Sequence, residues 1–156
     1  MVALVVKTMT LKESIKIDLE KNADKVDRCI YDLLRMRKPE VLYQASKHLI
    51  KGGGKRLRPY LVLKSCELVG GDVDVALPFA AALEIMHNFT LIHDDIMDND
   101  PLRRGVPTVH AEYGVPIAIV TGDLLFAKVY ETMVGDRGRQ TVPCDRVKAC
   151  IACVTE

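Results

Sequence analysis

The sequence has no tryptophan, only 5% aromatic residues and a net charge of +1 over 156 residues. A charge this close to zero argues against the basic surface by which nucleic-acid-binding proteins are recognised. No run of about 18 apolar residues is present, so no membrane span is predicted. The short apolar run at residues 3–6 is too brief for the core of a signal peptide. Hydrophobic residues still make up 49% of the chain, which predicts a folded globular protein.

Disulfide bonds are also not expected. The chain has five cysteines, an odd number, and no export signal, which together predict reduced thiols and a cytoplasmic protein. Cys150 and Cys153 form a single C-x-x-C pair with Cys144 nearby. Because no second pair completes a zinc site, we interpret these cysteines as residues on the face of a helix.

The hydrophobic pattern predicts an all-α protein with no convincing strand. Apolar residues recur at helical spacing from Leu11 to Leu33, and this helix must close before Pro39. The chain shows no internal repeat or linker, so residues 1–156 are interpreted as a single domain. Further helices are predicted at about 40–50, from Pro59 to Gly70, up to about Asp98, at 115–134 and after Pro143. The helix that ends near Asp98 can be capped by Asp72 or Asp74, which would place Pro78 in its first turn.

The helix ending near Asp98 is apolar on nearly every side, which is typical of a core helix, yet its end carries several acids. Asp94 and Asp98 are four residues apart and would share one helix face, with Asp95 beside them. Both their mutual repulsion and the helix dipole disfavour acids at a helix C-terminus. A bound hard cation such as Mg²⁺ would compensate, and the following Arg103 and Arg104 could bind phosphate. The alternative is a surface network of Asp and Arg without metal.

A second candidate anion site is the segment Lys51-Gly-Gly-Gly-Lys55-Arg-Leu-Arg58-Pro59. Its glycines end the preceding helix and allow close approach to the backbone. Pro59 suits the first position of the next helix and would keep Arg58 outside it, beside a helix N-terminus that favours phosphate. The spacing matches neither a Walker A loop nor a dinucleotide fingerprint. The alternative is a solvated basic loop.

Taken together, these segments resemble the trans-isoprenyl diphosphate synthases. The resemblance rests on four blocks in the family's order, spread over roughly residues 10–135: Gly53-Gly-Lys-Arg-Leu-Arg-Pro59, Leu91-Ile-His-Asp-Asp-Ile-Met-Asp98, Arg103-Arg-Gly-Val-Pro-Thr-Val-His110 and Thr121-Gly-Asp-Leu-Leu-Phe126. It implies the N-terminal portion of the isoprenoid synthase helical bundle and, for the full-length enzyme, a homodimer.

The resemblance also implies roles for individual residues. Asp94, Asp95 and Asp98 would hold Mg²⁺ at the diphosphate of an allylic substrate, which Arg103 would also bind. The diphosphate of isopentenyl diphosphate would be bound by Lys55, Arg58, His87 and Arg104. His87 lies seven residues before Asp94, about two helical turns away on nearly the same face. The alternative for His87 is a core histidine bonded to a backbone carbonyl. His93 and His110 are interpreted as structural or supporting residues.

The sequence departs from the family in one respect. Family members carry a second aspartate-rich motif and a following lysine region in their C-terminal half, and this sequence has neither. We therefore expect the chain to correspond to the N-terminal half of an Mg²⁺-dependent short-chain prenyl diphosphate synthase. The alternative is a non-catalytic fragment or subunit that binds diphosphates and Mg²⁺ but needs a partner chain. A terpene cyclase is a weaker third possibility, since it has no use for a block that binds isopentenyl diphosphate.

The resemblance finally points to residues that set product length. In the family, the positions five and four before the first aspartate form the floor of the product tunnel, and here they are Phe89 and Thr90. A single aromatic at the deeper position resembles the geranylgeranyl rather than the farnesyl pattern. The alternative is that Phe89 only packs in the core.

Overall fold

The computed structural model describes residues 10–135 and 142–155. The fold is all-α, as predicted, with one small two-stranded element. In chain order the elements are α1 (Leu11–Leu33), α2 (Glu40–Ser46), α3 (His48–Lys51), α4 (Leu57–Leu68), α5 (Val73–Met97), β1 (Leu102–Arg103), β2 (Val106–Pro107), α6 (Val109–Tyr113), α7 (Val115–Val134) and α8 (Cys144–Thr155).

Helix α5 is the centre of the bundle. It packs mainly against α7 and α4 and also against α1, while α2 and α8 pack on α7. The fully buried side chains include Val26, Ile30, Leu34, Leu63, Ile85, Ile92, Leu125 and Val129. Ala80, Ala81 and Ala82 are all 0% exposed, so their small side chains let neighbouring helices approach α5 closely.

Side-chain caps explain the starts of α1 and α5. The Thr10 hydroxyl accepts from the Glu13 backbone N–H at 3.3 Å, and the Glu13 carboxylate accepts from the Thr10 backbone N–H at 2.9 Å, which is a capping box. At the start of α5, Asp72 Oδ1 accepts from the Asp74 backbone N–H at 2.8 Å. Of the two capping residues that the sequence allowed for α5, Asp72 is therefore the one used.

Several predicted boundaries need correction. The helix expected at 40–50 is broken at Lys47 into α2 and α3. Pro78 lies inside α5 rather than in its first turn, because α5 begins at Val73. No strand was predicted, yet segment 99–110 contains the antiparallel strands β1 and β2, with Leu102 opposite Pro107 and Arg103 opposite Val106. These strands are two residues long and carry no alternating apolar pattern, so periodicity could not reveal them.

Helix α5 is long and apolar enough to cross a membrane by length and composition alone. In this fold it is a core helix, covered by its neighbours, and it carries the buried polar residues Glu84, Asn88 and Asp95. Its apolar character is accounted for by packing inside the bundle.

Candidate functional site

An open cleft of about 590 Å³ lies between the loop before α4 and the face of α5. Four of the residues proposed to bind diphosphate line this one cleft: Lys55, Arg58, His87 and Arg104. They come from three separate parts of the chain, so the fold brings together side chains that the sequence only suggested were related. Gly54, Arg56, Leu57 and Glu84 complete the lining.

The loop before α4 turns at Arg56, which adopts the left-handed conformation with φ 47° and ψ 37°. This turn leaves Arg56 buried while Lys55 and Arg58 on either side are exposed to the cleft. Helix α4 begins at Leu57, so Arg58 lies in its first turn, and the expectation that Pro59 would hold Arg58 outside the helix was wrong. Proline is tolerated there because its missing N–H would have had no partner within the helix.

His87 faces Arg58 across the cleft, with Arg58 Nη1 3.2 Å from His87 Nε2. Since a guanidinium can only donate, His87 Nε2 accepts this bond and the ring is neutral in that arrangement. Burial lowers the pKa of His87 below its ordinary value, and the positive charges of Arg58 and Arg104 lower it further. The nearby Asp94 acts on this pKa in the opposite direction.

Arg104 joins the strand pair β1–β2 to the loop before α4, residues 52–56, which we call the glycine loop. It has a left-handed φ of 54°, and its Nη1 donates a hydrogen bond to the carbonyl of Gly53. A second contact supports the same junction, since His48 Nε2 lies 2.7 Å from the carbonyl oxygen of Pro107. The His48 ring also packs edge-on against Tyr113, at 5.5 Å between centroids. The basic glycine segment at 51–59 and the segment at 103–110 are therefore held against each other.

Asp94 and Asp98 lie at the end of α5, where the Asp98 backbone N–H donates to the Asp94 carbonyl at 2.8 Å. Asp94 is half-buried and Asp98 is exposed. Within the part of the chain that the structure describes, neither side chain makes a hydrogen bond or an ion pair. Two carboxylates one helical turn apart, both accessible, form the donor set that Mg²⁺ uses together with phosphate oxygens.

Asp95 is placed differently, with only 1% of its surface exposed. Its Oδ1 accepts a hydrogen bond from Arg103 Nε at 2.7 Å, and Arg103 Nη2 lies 2.6 Å from the same oxygen as an ion pair. This pairing raises the pKa of Arg103 above its ordinary value. The sequence had grouped Asp95 with Asp94 and Asp98 as ligands; in the structure Asp95 is buried and paired with Arg103, whereas Asp94 is half-buried and Asp98 is exposed. Among residues 10–135 and 142–155, no three His, Cys, Asp or Glu side chains are grouped to hold a metal ion.

Phe89 lies on α5 among aromatic neighbours. Its ring centroid is 4.9 Å from that of His93 and 5.3 Å from that of Phe126, which in turn packs on Tyr130 at 5.0 Å. Thr90 is exposed and donates to the His87 carbonyl at 2.8 Å. His93 Nε2 lies 3.3 Å from the Ile119 carbonyl oxygen, as a structural histidine would.

Two residues of the cleft had no role assigned from the sequence. Glu84 is 4% exposed, and burial raises its pKa while the charge of Arg56 opposes that rise. Arg56 is 3% exposed although its immediate neighbours in the loop are solvated. The sequence could have marked Glu84 as a buried charged residue, because it lies inside the apolar run 80–86. The burial of Arg56 had no such signal, because it depends on α1.

The all-α bundle is similar to that of solved isoprenoid synthases. A solved isoprenoid synthase family member from Thermotoga neapolitana superposes with a TM-score of 0.75 at 28% identity. The sequence model of the polyprenyl synthetase family matches residues 39–150. The chain belongs to the polyprenyl synthetase family.

Individual relatives agree with this assignment. The geranylgeranyl diphosphate synthase of Methanosarcina mazei is 47% identical over 125 residues, which cover 80% of this chain and 37% of that protein. The short chain isoprenyl diphosphate synthase of Methanocaldococcus jannaschii is 58% identical over 96 residues, covering 62% and 29%. The crystal structure of geranylgeranyl pyrophosphate synthetase from Pyrococcus horikoshii matches with a TM-score of 0.86 and 40% identity, over 94% of this chain and 43% of that one. The chain thus spans less than half the length of these relatives.

Proposed function

We propose that this chain binds the diphosphates of isopentenyl diphosphate and of an allylic diphosphate, and serves in their condensation to a short-chain prenyl diphosphate. The observation that carries this proposal is the convergence of Lys55, Arg58, His87 and Arg104 on one cleft. The relatives that are prenyl diphosphate synthases support the reaction class. The geranylgeranyl product is the one we favour, since three of the relatives with that name are 47% to 57% identical to this chain.

In this proposal the cleft holds isopentenyl diphosphate. Lys55, Arg58 and Arg104 supply positive charge, and the two arginines add rigid donor forks suited to phosphate oxygens. The Arg58 side chain is oriented by its bond to His87, which keeps the guanidinium turned toward α5. Lys55 lies on the loop that the fold fixes at Arg56 and Arg58 lies in the helical turn that follows it, so the site is largely formed before the ligand arrives.

The allylic diphosphate would lie toward the end of α5. Asp94 and Asp98 would hold Mg²⁺, which when bound neutralises the negative charge of the diphosphate leaving group. Arg103 would bind the same diphosphate, and Asp95 would orient Arg103 rather than act as a ligand. The allylic C–O bond breaks, a new C–C bond forms to isopentenyl diphosphate, and a proton leaves. No protein nucleophile is needed, so these residues act by positioning and by charge.

The remaining assignments complete the proposal. Phe89 and Thr90 would border the growing chain, and Phe89 would set the depth available to it. The whole enzyme would be a homodimer in the cytoplasm, where exposed thiols such as Cys144 and Cys153 stay reduced.

A second candidate is a subunit that binds diphosphates and Mg²⁺ but needs a partner chain for catalysis. It is favoured by the apolar side chains that α7 leaves exposed, with Ile119 at 44%, Val120 at 47% and Phe126 at 41%. Surfaces of this kind mark interaction sites in folded proteins.

The test separates the two candidates. Calorimetric titration with isopentenyl diphosphate should show binding that is lost in the Lys55→Ala/Arg58→Ala variant. Radiolabelled isopentenyl diphosphate and an allylic diphosphate are then incubated with Mg²⁺ and a chimera in which this chain continues into the remaining sequence of the Methanosarcina mazei relative. Binding by the chain with prenyl product from the chimera supports the enzyme, binding without product from the chimera supports the subunit, and no binding contradicts both.

A further inference from the structure

Arg56 is the most extensively bonded cation beside the cleft, and the proposed binding role does not use it. Its Nε donates to Asp27 Oδ1 at 2.6 Å and its Nη2 donates to Asp27 Oδ2 at 3.3 Å, which is a bidentate pair. Nη1 donates to Glu84 Oε1 at 3.3 Å, and Nη2 also donates to the Ile50 carbonyl at 2.9 Å. The guanidinium therefore connects α1, α5 and the end of α3 at one point.

These bonds fix the backbone of the glycine loop at both of its ends. The bond to the Ile50 carbonyl closes the segment 50–56 on itself, and the Gly53 backbone N–H donates to the same carbonyl at 3.1 Å. A Cβ added at Gly54 would lie 2.6 Å from Arg56 Nη1, so the loop passes directly over the guanidinium. The directions of Lys55 and Arg58 follow from where this loop is held.

The donors of Arg56 are already committed to protein acceptors, in contrast to those of Lys55. Its side chain is 2% exposed, and the Glu84 side chain is 5% exposed. A bidentate pair between Arg and a carboxylate fixes geometry better than a pair of point charges does. Asp27 is 32% exposed and does not line the cleft, so it can influence a bound anion only through Arg56 or through its charge at a distance.

We propose that Arg56 is a positioning residue, held by Asp27 and Glu84, that sets the glycine loop so that Lys55 and Arg58 converge on a diphosphate. This inference rests on the proposed function for its ligand. It assigns the Asp27–Arg56–Glu84 cluster a role in binding that depends on geometry rather than on charge.

The direction in which Asp27→Asn changes the affinity for an anion distinguishes a positioning role from a purely electrostatic one. Asp27→Asn removes a negative charge near a cationic cleft, so charge alone would strengthen the binding of an anion. Loss of positioning would instead weaken it. We expect inorganic pyrophosphate, titrated calorimetrically without divalent cation, to bind Asp27→Asn about tenfold more weakly than the parent chain. Unchanged or tighter binding by a folded Asp27→Asn variant would overturn the proposal.

Three further variants sharpen the result. Arg56→Lys keeps the charge but cannot form the bidentate pair, so its affinity should also fall; affinity at the parental level would mean that Arg56 acts as a simple charge and would overturn the proposal. Asp27→Glu keeps the carboxylate and should retain affinity within about twofold. Glu131→Gln removes a carboxylate from an ion pair on α7 with Lys128, remote from the cleft, and serves as the matched control.

Hydrogen exchange tests the anchoring without any ligand. Backbone amides of residues 50–58 should exchange faster in Asp27→Asn than in the parent or in Glu131→Gln, while the amides of α7 should not change. Equal exchange in this loop would refute the anchoring role. If the parent chain fails to bind pyrophosphate at all, the proposed function fails, and exchange still decides whether Asp27 and Arg56 hold the loop.

Discussion

Arg103 Nε donates a hydrogen bond to Asp95 Oδ1 at 2.7 Å, and Arg103 Nη2 lies 2.6 Å from the same oxygen as an ion pair. The second oxygen, Asp95 Oδ2, is buried without a hydrogen-bond partner in the described part of the chain. The pair links the end of α5 to strand β1. It therefore fixes the position of Arg103 relative to the carboxylates at the end of α5. Asp95 is thereby tied into the fold, whereas Asp98 in the same motif is exposed.

The first prediction concerns this buried carboxylate. Asp95→Asn should destabilise the fold by roughly 1–3 kcal/mol, because it removes the charge that pairs with Arg103 and leaves that arginine less well satisfied. The exposed Asp98 is the matched control, and Asp98→Asn should change the free energy of unfolding by no more than about 0.5 kcal/mol. Urea denaturation of both variants measures the difference. Equal stabilities would contradict the structural role of Asp95.

The second prediction concerns Asp94 and Asp98, whose side chains repel each other in the absence of a cation. The Asp94→Asn/Asp98→Asn variant should lose the Mg²⁺-dependent part of its binding to an allylic diphosphate analogue, as measured by calorimetry with and without Mg²⁺. Asp100→Asn, a neighbouring exposed carboxylate outside the helix, is the control and should bind as the parent does. Unchanged binding by the double variant would show that the metal assignment is wrong.

Local signals in the sequence predicted the helices well, because Leu11–Leu33 and Val115–Val134 carry strong apolar periodicity and recognisable ends. The cleft was predicted in part: the basic loop at 51–59 and Arg104 were identified as candidate anion ligands from the residues themselves, whereas the role of His87 came from the resemblance. What could not be predicted depends on tertiary contacts. The burial of Arg56 requires α1 to bring Asp27 to the loop, and the inward turn of Asp95 requires Arg103 to reach back from β1. Asp27 lies too far from Arg56 in sequence for their pairing to be inferred from spacing, whereas the Asp95–Arg103 pair corresponds to the network of Asp and Arg that the sequence left open as an alternative.

The third prediction concerns pH and His87. Burial and the neighbouring arginines hold its pKa below the ordinary value of 6.5, so the folded protein resists protonating it. Neutral His87 therefore makes its full contribution to the free energy of unfolding above pH 6.5. That contribution is lost as the pH falls toward and through the lowered pKa, because the unfolded chain is protonated at a higher pH than the folded one. Urea denaturation from pH 8 to about pH 5 should therefore show a loss of stability that is smaller in His87→Gln.

Diphosphate binding should change the same proton equilibrium in the opposite direction. An anion in the cleft favours the protonated His87, so pyrophosphate binding by the parent should strengthen, relative to His87→Gln, as the pH is lowered through the ordinary histidine range. Because pyrophosphate is protonated equally in both titrations, the difference in affinity between the parent and His87→Gln cancels the effect of that protonation. Parallel pH profiles for parent and variant would show that His87 is not coupled to the bound anion.

The last prediction concerns product length and the aromatic residues beside α5. Phe89 is half-buried between His93 and Phe126, and five residues, about 7.5 Å along the helix, separate it from Asp94. Its packing with Phe126 holds the ring in place, which a tunnel floor requires. Thr90, next to it, is exposed and small, so it leaves space open nearer to the carboxylates.

The test uses a chimera in which this chain continues into the remaining sequence of the Methanosarcina mazei relative, so that product can be measured. Phe89→Ala should remove the floor and shift the products to longer chains, whereas Thr90→Phe should add a second aromatic ring and shorten them toward farnesyl diphosphate. Phe126→Leu, which removes the neighbouring ring but not Phe89, controls for disturbed packing and should leave the main product unchanged. Chromatography of the dephosphorylated products gives the chain lengths. An unchanged distribution in both Phe89→Ala and Thr90→Phe would mean that the chain ends against another part of the protein, and that Phe89 serves only to pack α5 against α7.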